Sequence, residues 1–412
     1  MQVIHPRCCG LDVHQKTVSA CVLVCPENGQ KHKEVRTFGT WTQDLQRLAD
    51  WLREQGVTHV AMEATGVYWK PVWAVLAGPF ELLLVNAQHI KAVPGRKTDV
   101  KDSEWIADLL QHGLLRGSFV PPPEIQDLRD LTRYRAQLTQ ERSRVANRIQ
   151  KLLEEANIKL GSIASDVMGT SGQQMLRAII AGETDPERLA QMARKRMRSK
   201  IPELCLALEG KVRDHHRDML RRLMRHWSFL GEEIASLDAE IRSRMLPFEP
   251  AVALWQTIPG IHELTAWNLV AEIGVNMDQF PSPQQLASWA GVCPGNNESA
   301  GKRRSGQTRY GAPWLKRALC QAAWAASHTR NTYFSAQYRR LAARRGKKRA
   351  IIAVAHSLLI VIYCILKQNR TYQELGGNHF DQLHAERHKR YFVKKLEALG
   401  FQVNLVPVEQ AA

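Results

Sequence analysis

Carboxylates occupy two positions where a β-strand would ordinarily carry aliphatic side chains. Asp12 interrupts the apolar run Gly10-Leu11-Asp12-Val13, and Glu63 ends the run Val60-Ala61-Met62-Glu63. An acid buried without a partner is costly, so strand-centre acids point to a function. Asp99 and Asp102 follow in Lys97-Thr98-Asp99-Val100-Lys101-Asp102, at the expected start of a helix, where a spacing of three puts both on one face. Four carboxylates gathered together repel one another unless cations neutralise them, and hard oxygen donors suit Mg²⁺, with Mn²⁺ as the alternative ion. Two such ions about 4 Å apart would activate a nucleophile and stabilise the departing oxygen of a phosphodiester. Taken singly, Asp99 is equally a helix cap, and Asp102 an ion-pair partner of Lys101 or Arg96.

Strands and helices must hold those acids, and the first 117 residues supply the signals. Residues 8–12 and 17–24 are β-rich runs around His14-Gln15-Lys16, which reads as a hairpin. Residues 41–55 carry Leu45, Leu48, Ala49 and Leu52 at helical spacing. A strand is expected over 57–64, a helix over 68–77, a short strand over 81–85, and a helix over 98–115 capped by Thr98 or Asp99. Strands first, then strands alternating with helices, predict an α/β domain on a mixed sheet. Acids on the first strand, a later strand and a following helix reproduce the layout of an RNase H-like nuclease.

Pro121-Pro122-Pro123 punctuates the chain, and a heptad follows through Leu128, Leu131, Arg135, Leu138, Arg142, Val145, Ile149, Leu152 and Ala156. A second runs through Leu220, Leu223, Trp227, Leu230, Ile234, Leu237, Ile241 and Met245. The two seams predict either an antiparallel helical hairpin or a coiled-coil dimer. Arg135 and Arg142 are poor core residues, so the first helix alternatively exposes a basic stripe. Between the seams, residues 160–205 read as a small, helical, basic insertion. Beyond 251, Thr257-Ile258-Pro259-Gly260-Ile261 reads equally as a helix-hairpin-helix turn, whose backbone N–H groups suit phosphate, or as a plain turn between helices.

The chain has 412 residues, too many for one ordinary domain, and a formal charge of +17. Fourteen Lys and Arg with no Asp or Glu fall between residues 301 and 350, which favours phosphate contact over a merely solvated face. The eight cysteines form no CxxC pair or even framework, and the start has no signal-peptide core, so the expectation is a cytoplasmic protein with reduced thiols. The apolar run 350–366 is shorter than the roughly 20 residues a membrane span needs and contains His356 and Ser357, which predicts a buried core helix and no membrane partner. His379, His384 and His388 lack the further ligands of a zinc site.

Gly10-Leu11-Asp12-Val13-His14, Met62-Glu63-Ala64-Thr65-Gly66 and the segment from Lys97 to Asp102 resemble the three acidic motifs of the DEDD transposases of the insertion sequence 110 family. Trp289-Ala290-Gly291-Val292-Cys293-Pro294 and the Asn297-Glu298-Ser299-Ala300-Gly301-Lys302-Arg303-Arg304-Ser305-Gly306 loop extend the resemblance, which covers residues 7–370. It implies a RuvC-like (RNase H-like) nuclease domain over 1–120, a coiled-coil helical region over 121–250 and a mostly helical C-terminal transposase domain over 251–370, with a tail over 371–412. It also implies that Asp12, Glu63, Asp99 and Asp102 hold Mg²⁺ and that a serine attacks DNA to form a phosphoserine link. By motif position that serine is Ser299, with Ser305 as runner-up. The nucleic-acid-binding residues expected beside these motifs are Lys97, Lys101, Lys302, Arg303, Arg304 and Arg309. Double-stranded DNA (element ends and target), a structured guide RNA from the element and a homo-oligomer, dimer or tetramer, are the implied partners. A RuvC-like endonuclease that hydrolyses with water and a non-catalytic nucleic-acid scaffold are the competing readings.

Overall fold

The computed structural model describes residues 2–405 except 26–30, 65, 88–89, 91–100, 296, 300, 309 and 384, and at 297–299, 303–304 and 386–388 it describes the backbone alone. The chain divides into two compact units, Met1–Val120 and Pro121–Ala412.

In the first unit, β1 (Arg7–Val13) pairs antiparallel with β2 (Thr17–Val24), and β2 pairs antiparallel with β3 (His32–Gly39). The expected hairpin is present. On the other side β1 runs parallel to β4 (His59–Glu63), which runs parallel to β5 (Glu81–Val85). The order β3-β2-β1-β4-β5 is the mixed, RNase H-like sheet that the sequence predicted. Only β3 was missed. Its HKEVRTFG has no buried residue, because it is an edge strand with both faces half open.

Period-two alternation sorts β1 between two cores. Cys9, Leu11 and Val13 face the cluster built with Leu45, Leu48 and Leu52 of α1 (Thr42–Glu54) and Val72 and Leu76 of α2 (Trp69–Leu76). Cys8 faces the opposite cluster, with Ile106, Leu109 and Leu110 of α3 (Asp102–Gln111). Gly10 and Asp12 share the Cys8 parity, and Glu63 shares that of Ala61, which lies in the same α3-side cluster. Alternation alone therefore puts both strand acids on the face that α3 covers.

The helix α3 starts later than its composition suggested. Lys101 is extended at the N-cap (φ −61°, ψ 148°), and Asp102 is the first helical residue. Thr98 and Asp99 precede that cap and lie outside the described residues.

The second unit begins with α4 (Pro123–Glu155), started by proline at a position where the missing N–H has no helical partner anyway. Four short helices follow, α5 (Leu160–Ile163), α6 (Thr170–Ala181), α7 (Pro186–Ala190) and α8 (Ile201–Leu208), and they form the helical insertion. The chain then returns in α9 (Asp214–Met245), antiparallel to α4, with Leu138, Val145 and Ile149 buried on one helix and Leu230, Ile234 and Leu237 on the other. The two heptads thus pack on each other as a hairpin within one chain. Arg135 and Arg142 expose no basic stripe: Arg135 makes a two-pronged pair with Asp238, and the Arg142 guanidinium lies 3.8 Å from the Trp227 ring centroid.

Beyond the hairpin come α10 (Glu249–Gln256), α11 (Glu263–Ile273), α12 (Pro283–Trp289), the β6 (Asn297–Ser299) and β7 (Lys302–Ser305) pair, and α13 (Pro313–His328), α14 (Tyr333–Arg345) and α15 (Lys347–Gln368). Two further helices, α16 (His379–Leu383) and α17 (Ala385–Ala398), complete the described chain. Gly260, in the left-handed region at φ +86°, lets the α10–α11 turn meet α13, since a Cβ there would come within 2.5 Å of the Ala326 amide nitrogen. By length and composition α15 could cross a membrane. Instead it buries Val354, Leu358, Leu359 and Ile362 in the unit's core, accepts a bond from the Trp255 indole at the Ile362 carbonyl (3.1 Å), and donates from Tyr363 to the Phe280 carbonyl (3.0 Å).

Candidate functional site

The acid site is built by one close approach. A Cβ on Gly10 would lie 2.3 Å from both the Ala107 nitrogen and the Ser103 carbonyl oxygen, so α3 rests its backbone directly on β1. That contact brings Asp102, in the first turn of α3, to the end of β1 where Asp12 stands. Glu63 arrives from the neighbouring strand, one step beyond the registered pair Leu11↔Met62. Since β1 and β4 are parallel, their C-terminal ends coincide.

Electrostatics records this convergence. Burial raises the Asp12 carboxyl above its ordinary range; His14 opposes the shift, while the negative charges of Asp102 and Glu63 reinforce it. The Asp12 side chain is 25% exposed, and its ion-pair partner is the His14 imidazole at 3.2 Å. His14, the first residue past the end of β1, folds back to reach Asp12. Asp102 sits at the positive end of the α3 dipole, a favourable place for an acid.

Among the described residues, no three His, Cys, Asp or Glu side chains stand close enough together to hold a metal ion, and Asp99 lies outside them. Carboxylates brought near one another push one another's oxygens apart. The donor chemistry fits a hard divalent cation: oxygen ligands, half-buried at Asp12 and Glu63 and exposed at Asp102, whose mutual repulsion the ion would relieve. Cysteine ligation does not compete here. Cys8 and Cys9 are fully buried, and that burial pushes the Cys8 thiol up to about 12 and Cys9 well above its ordinary value. All eight cysteines are free thiols.

The 297–306 segment, expected as a loop, is a β-hairpin. Ser299 ends β6 opposite Lys302, with Gly301 in the turn at φ +73°. A pairing made only of Asn-Glu-Ser and Lys-Arg-Arg-Ser has no apolar alternation to reveal it in sequence. Lys101 and Lys302 are exposed; Arg303 and Arg304 lie on β7; Lys97 and Arg309 lie outside the described residues. Sequence reasoning missed Gly10 and His14. A glycine inside a strand signals close backbone approach; His14, just past the end of β1, carries no such signal.

Residues 9–158 match the DEDD transposase model of the IS110 family, described as Transposase, and residues 252–339 match the model described as Transposase IS116/IS110/IS902 family. The chain is 26% identical over 321 residues to the transposase for insertion sequence element IS1111A of Coxiella burnetii, a match covering 76% of this chain and 79% of that one. It is 24% identical over 383 residues to the pilin gene-inverting protein of Moraxella bovis, covering 89% of this chain and 97% of the relative.

Proposed function

The chain belongs to the IS110 family of DEDD transposases, enzymes that cut DNA strands, and from that premise we propose that it excises and inserts an insertion sequence as a site-specific recombinase. The observation that carries this reading is the seating of α3 on Gly10 beside the parallel β1–β4 pair, which together put Asp102 and Glu63 within electrostatic reach of Asp12. The family relation implies a divalent metal; in our reading the ion is Mg²⁺, held by Asp12, Glu63, Asp99 and Asp102. When bound, it supplies positive charge to the reacting phosphate.

Ser299 Oγ bonds to phosphorus as the bond from phosphorus to one DNA oxygen breaks. The serine proton leaves to a carboxylate or to water, and the released DNA oxygen takes a proton, so the product is a phosphoserine link plus a free hydroxyl. Attack of a new DNA hydroxyl on that link rejoins the strand and restores the serine. Lys302, Arg303, Arg304 and Arg309, with Lys97 and Lys101, neutralise phosphates around the reaction. The name of the Moraxella relative makes inversion of a DNA segment a second outcome of the same cutting and rejoining.

In this reading residues 1–120 are the nuclease domain, 121–250 the helical region, 251–370 the serine transposase domain and 371–412 a tail. A structured RNA selects the DNA, and a dimer or tetramer holds the several DNA ends. A denaturing gel of the protein with terminal-element DNA and Mg²⁺ tests the chemistry. A covalent protein–DNA band that disappears in Ser299→Ala supports the serine route. A free nick refutes it in favour of a water nuclease, and loss in Ser305→Ala alone moves the nucleophile by six residues. Sequencing of the RNA that co-purifies tests the guide.

A further inference from the structure

The outward face of α13 departs from what a surface helix needs. Its inner face buries Leu315, Leu319, Ala322 and Ala326, which already satisfies the amphipathic requirement, and the outer face should then be plainly polar. Instead Trp314, Arg317, Gln321, Trp324 and His328 follow one another at spacings of three and four along it. Trp324 is 53% exposed and packs at a 48° tilt against the His328 ring, with centroids 4.4 Å apart. At the other end, the Arg317 and Arg133 guanidiniums lie 5.1 and 5.8 Å from the Trp314 ring. Trp314 and Arg317 border a groove of about 670 Å³ between α4, α11 and α13. The one carboxylate among its lining residues is Glu272, buried and bonded at both oxygens to Arg133.

We propose that this face is a stacking track for single-stranded DNA. Three features of the stripe select that occupant. The 301–350 block around it has fourteen basic residues and no acid, which attracts a polyanion. The exposed indole of Trp324, with the half-buried Trp314 at the groove's edge, presents flat π-surface, which unpaired bases stack on and paired bases in a duplex do not offer. From Trp314 to Trp324 the helix rises ~15 Å, enough for four or five nucleotides at ~3.4 Å each. DNA rather than RNA is the strand that a DNA-cleaving enzyme itself leaves unpaired. The assignment rests on the transposase reading for that last point only.

The test is fluorescence anisotropy of the full-length protein with three labelled probes of equal length, oligo-dT, oligo-U and mixed-sequence duplex DNA, without divalent metal. Trp324→Ala and Trp314→Ala should each weaken oligo-dT binding about ten-fold, leave duplex binding within two-fold, and leave the salt slope unchanged, since stacking releases no counterions. Trp324→Phe should keep most of the affinity that Trp324→Leu loses; this comparison still decides the matter if the alanine variants prove unstable. Equal losses on duplex and single strand, or no loss, overturn the proposal. A larger loss on oligo-U than on oligo-dT overturns the DNA assignment. Because no cleavage is read, failure here leaves the covalent-adduct result untouched, and failure of that adduct leaves this binding result standing.

Discussion

Gly10→Ala is the most direct test of how the fold makes the acid site. The added Cβ would meet the Ala107 nitrogen and the Ser103 oxygen at 2.3 Å, whereas ordinary contact starts near 3.4 Å, so α3 must retreat by about 1.1 Å. Both obstacles are backbone atoms of a helix and cannot rotate away as a side chain would. Overpacking of this kind costs roughly 1–3 kcal/mol, which for a unit of this size lowers Tm by about 4–12 °C. The retreat also carries Asp102 away from Asp12. A misplacement of ~1 Å in a catalytic constellation costs on the order of 100-fold in rate. Metal-dependent DNA cleavage should therefore fall about that much, while DNA affinity stays near wild type. Gly161→Ala is the control: its Cβ would meet only Val167 Cγ2 at 3.8 Å, and in helix α5 it should stabilise by a few tenths to ~1 kcal/mol. Paired melting curves and cleavage time courses decide the matter. Wild-type cleavage and melting in Gly10→Ala would mean that α3 does not rest on β1 as described.

Asp12→Asn should abolish cleavage yet raise the Tm of the metal-free protein at neutral pH. The Asp12 carboxyl is raised in the fold, so its contribution to stability is full below its unfolded pKa and is lost as pH rises through the folded value. The gain should vanish in acid, and Mg²⁺ should raise the Tm of wild type but not of Asp12→Asn; a variant that melts lower than wild type at neutral pH would refute this. Ile234→Glu, which puts an unpaired charge into the α4–α9 seam, should cost more than ~3 kcal/mol and melt the hairpin in circular dichroism; a well-folded variant whose light scattering shows only a smaller oligomer would instead place the seam between chains. Neutralising Lys302, Arg303, Arg304 and Arg309 should reduce the slope of log K against log salt by about 0.9 for each true duplex phosphate contact, and an unchanged slope would return them to the solvated surface.

Where strands are buried and rich in aliphatic residues, the sequence was readable. Thr17–Val24 and Glu81–Val85 are strands because their neighbours bury them, and the two strand acids stood out against aliphatic surroundings. The edge strand β3 and the β6–β7 pair escaped because their side chains are polar on both faces, so no period separates a strand from a loop. The start of α3 was misplaced for a different reason. Thr98 and Asp99 are good capping residues, but Lys101 takes the N-cap without a side-chain bond, as the helix end is fixed by seating on Gly10. Tertiary contact overrode local propensity there. The same holds for Arg135 and Arg142, whose partners Asp238 and Trp227 lie a whole helix away in sequence.

The distribution of charge has a consequence for how such an enzyme can be built. A metal site made of carboxylates and a surface that attracts DNA need opposite charges, and fixed cations beside the acids would compete with the ion for the same oxygens. Within the first unit Lys31 bonds Asp108 and Lys33 bonds Glu104 on α3, while Arg36, Arg47 and Arg53 pair with Glu34, Asp44 and Asp50. Asp12 is paired with the His14 imidazole, 3.2 Å away. The dense block of positive charge falls some two hundred residues later, where fourteen basic residues meet no acid. Burial, reinforced by the charges of Asp102 and Glu63, raises Asp12 and costs the empty fold some stability, so that metal binding and folding of the first unit are thermodynamically linked.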